Sequence, residues 1–416
     1  MTVSEQDHGR GCARTEEAGI DQPIEFAEFF AGIGLVRTAL EQLGFHAKWA
    51  NDIEKAKYDQ YAANHTADDF HLGDIRDVHA DQLPQEVELA TSSFPCIDVS
   101  LAGNRKGLAG SHSGMFWEFA RVIGEFDKAL RPRAILLENV TGFASSHGGE
   151  DLRAALRRLN DLGYSCDVFA IDARNFVPQS RPRMFVIGVK GELPQGAARG
   201  MPPLSDIRPE WVRDVHERNH DLDMHHLELP PLPEGPKDLS NVIQPMSPED
   251  SRWWDHERTG AFLKSLSAIQ AQRLDQLTAR DNVNWRTAYR RTRAGSPVCE
   301  IRRDGIAGCL RTTGGGSSKQ ALVEVGQGTV RVRWMTPIEY ARLMGADGYK
   351  IHGGTPNQAL FGLGDAVVVD VIRWIGKHYL LPTLALASTG ATSTAENCTN
   401  RDRGSYVHDS AAERVS

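Results

Sequence analysis

Several short segments carry residue types that can do chemistry. Phe94-Pro95-Cys96-Ile97-Asp98-Val99-Ser100 places a cysteine directly after a proline, beyond a strand-like run from Glu88 to Ser93. In open α/β sheets ligands bind at the carboxyl ends of strands, and a thiolate there is a ready nucleophile. A cysteine beside a proline is otherwise a packing residue, and the position alone leaves both readings open. Leu136-Leu137-Glu138-Asn139-Val140 ends an apolar strand in a carboxylate. Burying that group without a partner is costly, so it should face a cleft, where a raised pKa suits it to donate or share a proton near neutral pH. A helix cap or an ion-pair acid is the plain alternative. Gln179-Ser180-Arg181-Pro182-Arg183 leads into a strand from Met184 to Val189. Alternate strand residues point the same way, so Arg181 and Arg183 share a face and can hold a polar ring edge or a phosphate.

A further constellation is Phe30-Ala31-Gly32-Ile33-Gly34, after an apolar run from Ile24 and before a helical stretch to about Leu43, with Asp52 eighteen positions beyond Gly34. Such glycines let the backbone turn tightly against a ligand, and an acid at the next strand's end accepts hydrogen bonds from ribose hydroxyls. Arg37 stands where the dinucleotide pattern has its third glycine, which favours adenosine without phosphates over a pyrophosphate. A glycine turn used only for packing is the competing reading. Gly73-Asp74-Ile75 adds a second acid, placed for an adenine amino group.

The elements that must position these residues alternate. Strand-like runs at Ala47–Ala50, 88–93, 134–137, 167–171 and 184–189 are interleaved with helical stretches at about 114–130 and 151–162, the pattern of a parallel sheet with crossover helices. After Lys190 the rhythm breaks, and residues 196–248 are rich in Pro, His and charge and read as irregular. Residues 273–333 hold twelve Lys and Arg against five acids, in a 416-residue chain whose net charge is −8. That local surplus marks a candidate polyanion-facing surface, or simply a solvated face. Helical patterning returns at 336–345 and 364–380.

Composition sets the limits. With 40% hydrophobic and 25% charged residues the chain is neither wholly disordered nor fibrous. No apolar run reaches the ~18–20 residues of a membrane span, and the polar segment from Met1 to Gly19 is not a secretory signal. A cytoplasmic protein is expected. The six cysteines show no C-x-x-C pair, so neither a zinc site nor a disulfide framework is expected.

In this order, the segments resemble the DNA cytosine-5 methyltransferase family: F-A-G-I-G, N-D, G-D-I, F-P-C, S-G-M-F-W-E-F from Ser113, E-N-V, Q-S-R-P-R and R-W-M-T-P-I-E-Y-A-R-L-M-G from Arg333. The resemblance spans Phe30 to about Tyr379. It implies a Rossmann-like α/β domain with a mostly parallel sheet, plus a smaller irregular target-recognition domain. The expected division is a disordered leader at 1–22, a catalytic domain at 23–190, recognition at 191–332, a return to the catalytic domain at 333–384 and a disordered tail at 385–416.

The implied activity is that of a DNA (cytosine-5-)-methyltransferase (EC 2.1.1.37) using S-adenosylmethionine and double-stranded DNA, without a metal. Cys96 would attack C6 of a flipped-out cytosine, Glu138 would serve N3 and the amine, Arg183 would bind O2, and Arg181 would support the site electrostatically. Phe30, Gly32, Ile33 and Gly34 would form the loop around the cofactor's methionine part. Asp52 would take the ribose, Ile53 the adenine face, Asp74 and Ile75 its edge, with Pro95 and Met115 lining the pocket. Ser100, Asn139, Gln179, Arg311 and Thr312 are the implied substrate contacts. The family usually reads Gly-Asn-Ala near its last helix, whereas this chain reads Gly364-Asp365-Ala366, so Asp365 adds negative charge near the cofactor's amino-acid end. Many relatives also carry a bulky aromatic where Ile53 stands. The compact chain suggests a restriction-type bacterial or phage enzyme, monomeric on DNA. The rival readings are methylation of tRNA, a variant cofactor, and a catalytically silent DNA-binding relative.

Overall fold

The structure, a computed structural model, describes residues 23–95, 114–293, 296–311, 319–352 and 355–385. Cys96, Ser100, Thr312 and the Gly314–Ser318 segment lie outside the described residues, as do the expected leader at 1–22 and the tail beyond Ala385.

The first part of the chain alternates as β1 (Ile24–Phe29), α1 (Leu35–Glu41), β2 (Phe45–Asp52), α2 (Lys55–Ala62), β3 (Phe70–Leu72), β4 (Leu89–Ser92), α3 (Met115–Glu125), β5 (Ala134–Val140), α4 (Glu150–Asp161), β6 (Tyr164–Asp172) and β7 (Pro182–Lys190). These strands form one seven-stranded sheet in the order β3-β2-β1-β4-β5-β7-β6. All pairs are parallel except β7, which runs antiparallel to both β5 and β6. Alternation along the strands splits the core between the two faces. Phe26, Leu136, Phe185 and Ile187 pack on one face with α1, while Ala27, Phe29, Ile135 and Leu137 pack on the other with α3 and α4. Strand order reverses beside β1, so the carboxyl ends of β1 and β4 flank the crevice where open α/β sheets bind ligands.

Beyond Lys190 come β8 (Ala197–Ala198), α5 (Glu210–Arg218), β9 (His226–Leu227), α6 (His256–Lys264), α7 (Ala268–Thr278), β10 (Asn284–Arg293), β11 (Ser296–Ile301), β12 (Gln320–Gly326) and β13 (Thr329–Trp334). The last four strands form an antiparallel sheet in the order β11-β10-β12-β13, with an apolar cluster of its own around Phe262, Leu274, Val323 and Val332. Residues 196–248 are more regular than their composition suggests. They hold α5, flanked by the prolines that dominate the stretch, and α5 buries Val212, Val215 and His216. Their side chains Ile207, Leu227, Leu239 and Val242 join the core of the large sheet. A buried polar node fixes that docking. Arg208 donates to Asp167 Oδ2 at 2.8 Å, the Leu227 amide donates to the same oxygen at 3.0 Å, and Tyr379 donates to it at 3.1 Å. The expected boundary between 332 and 333 falls inside β13.

The chain returns to the large sheet through α8 (Pro337–Leu343), α9 (Pro356–Asp365) and α10 (Val369–Ile375). The helical stretch expected from Gly364 is instead the end of α9, a break, and then α10. No helix among the described residues is long and apolar enough to cross a membrane.

The junction between the smaller sheet and α8 is electrostatic. Thr336 and Glu339 form a capping box at the start of α8, with Pro337 in its first turn. Glu339 is fully buried, accepting from Arg333 at 2.8 Å on one oxygen, from a second Arg333 nitrogen on the other, and from the Thr336 and Gln244 amides at 2.9 Å each. Removing one partner of a buried ion pair strands the other, at about 3–5 kcal/mol. Arg333→Met is therefore expected to lower unfolding free energy by about that amount. Urea denaturation followed by the fluorescence of the nearby tryptophans measures it; a change under ~1 kcal/mol, the scale of an exposed pair, would contradict this role.

Candidate active site

The crevice at the sheet's switch point is built from an unusual turn. Phe30, Gly32 and Gly34 all have positive φ (56°, 57° and 79°), and a Cβ added at Gly34 would lie 2.7 Å from the side chains of His65 and Tyr61. Only glycine fits that position. Phe30 holds a left-handed conformation that non-glycine residues seldom adopt, and strain of this kind collects at ligand sites. Asp52 stitches the turn to β2. Its Oδ2 accepts from the Gly32 amide and its Oδ1 from the Glu54 amide, both at 2.9 Å. Ile33 turns its side chain into the core, and its carbonyl accepts from Tyr349 at 2.6 Å. It thus supports the loop from beneath.

Around this turn the side chains suit a nucleoside. Ile53 is 62% exposed beside the buried Asp52, an apolar surface next to an acceptor. Asp74 receives the Arg76 guanidinium on both oxygens and the Arg76 amide on one. That contact with Arg76 holds its carboxyl below the usual range. Ile75 is buried, and Pro95 and Met115 are half-buried at the end of β4 and the start of α3. These carboxylate acceptors, the apolar walls and the strained turn fit an adenosine-bearing cofactor. Among the described residues, no three His, Cys, Asp or Glu side chains are grouped as metal ligands.

A second cluster forms because β7 runs antiparallel to β5. The start of β7 then meets the carboxyl end of β5, with Val140 opposite Arg183. Glu138 and Arg183 lie on the same sheet face, and Arg183 Nε donates to Glu138 Oε1 at 2.8 Å. Burial pushes the Glu138 carboxyl up, with Arg183 and Arg181 opposing it, and the net direction is upward. Arg181 is buried and serves the backbone, donating to the carbonyls of Leu310 at 2.8 Å, Gly364 at 3.1 Å and Ala366 at 2.6 Å. Burial, with Arg183 beside it, pulls its pKa down.

Cys309 completes the cluster, and its residue type alone gave no sign of that. Its Sγ accepts from Arg181 at 3.5 Å and lies 3.9 Å from each terminal nitrogen of Arg183. Burial would push this thiol up, but the arginines outweigh it and hold it below the ordinary thiol range. The available signal was its place in the basic stretch, two residues before the exposed Arg311.

Two expected substrate contacts are occupied within the fold. Asn139 donates to the Phe94 carbonyl at 3.3 Å and accepts from the Val140 amide at 2.9 Å. The fully buried Gln179 donates to Leu343 O at 2.8 Å and accepts from the Leu310 amide at 3.0 Å. Each ties the ends of elements together. The negative charge expected from Asp365 is also not left alone: Lys57 on α2 pairs with it at 2.7 Å. Spacing could not show this, because the partners are 308 residues apart.

Since Arg183 holds the Glu138 pKa down against burial, Arg183→Met is expected to raise it further, so that the carboxyl stays protonated to higher pH. Isotope-edited infrared titration of the protonated carboxyl, with Glu138→Gln as blank, reads this directly. A midpoint that is unchanged or lower in the variant would contradict the electrostatic account.

The family model for C-5 cytosine-specific DNA methylase matches residues 24–380. The Type II methyltransferase M.HhaI of Haemophilus parahaemolyticus is 26% identical over 354 residues, covering 85% of this chain and 93% of the relative. M.Bsp6I of Bacillus sp. (strain RFL6) is also 26% identical, over 362 residues, covering 85% of this chain and 98% of the relative. Among solved structures, the S. pombe Dnmt2 methyltransferase superposes with a TM-score of 0.55 at 18% identity, covering 88% of this chain and 99% of that one. With the match running from β1 to the last helical turns, the chain belongs to the C-5 cytosine-specific DNA methylase family.

Proposed function

We propose that this methyltransferase acts on C5 of a cytosine flipped out of a specific duplex DNA sequence, through a covalent bond between Cys96 and C6. The observation that carries the reading is the pairing of the buried Glu138 with the half-buried Arg183, set beside the crevice between β1 and β4. Cytosine C5 is a weak nucleophile, so the ring must first be activated. The Cys96 thiolate adds to C6, and the displaced ring electrons move toward N3. Glu138, whose carboxyl burial keeps it inclined to hold a proton, donates at N3 and accepts from the exocyclic amine. Arg183 stabilises the charge growing on O2 while its Nε keeps Glu138 in place. Bound S-adenosylmethionine supplies the electrophilic methyl group. With C5 substituted, a solvent water takes the C5 proton, the C–H electron pair forms the C5–C6 double bond, the C6–S pair leaves with sulfur as the Cys96 thiolate, and N3 returns its proton to Glu138. A stacked base cannot meet these side chains, hence the flipping.

In this reading Phe30, Gly32 and Gly34 cradle the cofactor's methionine part, Asp52 the ribose, and Ile53, Asp74 and Ile75 the adenine, with Pro95 and Met115 as walls. Asn139 and Gln179 hold the frame instead of touching the base. Arg181 supports the site electrostatically and holds the Leu310 and Gly364–Ala366 segments in place. The four-stranded sheet and the basic stretch 273–333 offer the DNA-facing surface of a recognition region, with Arg311 at its edge.

DNA from cells expressing the chain, digested to nucleosides and analysed by mass spectrometry, is expected to contain 5-methyldeoxycytidine. Cys96→Ser should abolish it, and Glu138→Gln should slow methylation of duplex DNA in vitro by about 10²–10⁴-fold. Label entering tRNA but not duplex DNA, or product formed without Cys96, would overturn the proposal.

A further inference from the structure

The Lys57–Asp365 pair sits at a place the reaction needs and the catalytic residues leave unassigned. Lys57 lies near the start of α2, with its side chain 12% exposed; Asp365 ends α9 and is 51% exposed. The Lys57 stem runs along the glycine turn, so that a Cβ on Gly32 would meet its Cδ at 4.0 Å. Its ammonium lies 5.7 Å from the centre of the Phe361 ring and 3.6 Å from Glu54. Burial works against its charge, but Asp365 and Asp52 outweigh that and hold its pKa above the ordinary value. On the other side, the carbonyls flanking Asp365, those of Gly364 and Ala366, are gripped by Arg181, and the field of Asp365 reaches Glu138. The pair therefore spans the ground between the glycine turn and the catalytic corner.

A sulfonium carries three carbon arms. One, the methyl, must face the base beside Glu138 and Arg183. The adenosyl arm has its acceptors in Asp52 and Asp74. The remaining arm ends in an ammonium and a carboxylate and must take the ground that is left. A zwitterion is best matched by a pair of opposite charges: its carboxylate beside an ammonium, its ammonium beside a carboxylate, with no net charge added to the site. A lone aspartate there would repel the carboxylate, and a lone lysine the ammonium.

We propose that Lys57 and Asp365 act as one specificity-determining pair that reads the cofactor's amino-acid end, Lys57 taking its carboxylate and Asp365 its ammonium. This rests on the S-adenosylmethionine reading above. In the free chain the two side chains satisfy each other, which keeps a half-buried lysine compensated. When the zwitterion enters, each keeps an opposite charge as partner.

Calorimetric titration of the full chain without DNA tests this with four probes: S-adenosylhomocysteine, its decarboxylated analogue, its deaminated analogue, and 5′-methylthioadenosine, which lacks the amino-acid end. Wild type is expected to prefer S-adenosylhomocysteine over the decarboxylated form by about tenfold or more, the worth of one charge-assisted contact. Lys57→Met should reduce that preference to about threefold or less while leaving 5′-methylthioadenosine affinity unchanged, which also verifies the folded pocket. Asp365→Asn, nearly isosteric, should keep the carboxylate preference and lose discrimination against a deaminated analogue. Wild-type discrimination retained in Lys57→Met, or none in wild type, overturns the pair's role alone. Failure of wild type to bind any of the four adenosine compounds overturns the cofactor reading beneath it.

Discussion

A single buried guanidinium holds the site together. Arg181 enters β7 from Gln179 and Ser180 and is taken almost wholly out of water. Such a charge is tolerated only where its donors find acceptors. Here its two terminal nitrogens find three backbone carbonyls on two distant segments: Leu310 beside the smaller sheet, and Gly364 in the last turn of α9 with Ala366 just after it. Loss of the side chain would take a charged donor from each of those carbonyls in a buried corner, so the three parts of the chain are bound to one another's positions. Cys309 is carried beside Arg183 by the same contact, since it precedes Leu310.

The geometry of the Glu138–Arg183 pair follows from one reversed strand. Had β7 been parallel to β5, its leading arginines would lie at the opposite edge of the sheet from Glu138. Antiparallel pairing brings the start of β7 to the end of β5, and side-chain alternation puts Arg183 and Glu138 on the same face. The resulting corner holds two cations, a carboxylate and a thiol with little water. Burial raises the carboxyl, the arginines restrain it, and the same arginines hold the Cys309 thiol down. A site of this kind is preorganised for charge that appears only during reaction.

The glycine-turn side of the crevice is arranged on the same principle by other means. Asp52 uses one oxygen to secure the left-handed turn at Gly32 and the other to hold the Glu54 amide, and still sits next to the open Ile53 surface. The departures from the usual family pattern at Ile53 and Asp365 lie in this crevice and not beside the Glu138–Arg183 pair. Asp365 is balanced by a lysine from α2, so the change of residue type adds no uncompensated charge.

Sequence by itself determined the local pieces: the strand, glycine turn and helix around Phe30–Gly34, the carboxylate near the end of β5, the paired arginines, and the alternation that makes an α/β sheet. These are written in neighbours a few positions apart, where backbone freedom, side-chain alternation and apolar spacing act directly. Ordered together, they were enough to indicate the family. Tertiary structure alone decided what depends on partners far along the chain. It set the antiparallel course of β7, the docking of residues 197–243 on the large core through Asp167 and Arg208, and the division of the last helical region into α9 and α10. It gave Asn139 and Gln179 roles inside the frame, placed Cys309 among the arginines, and joined Lys57 to Asp365. No spacing rule links residues 308 positions apart. Their pairing is chosen when burial of a common core brings the two elements together and each charge must find its opposite.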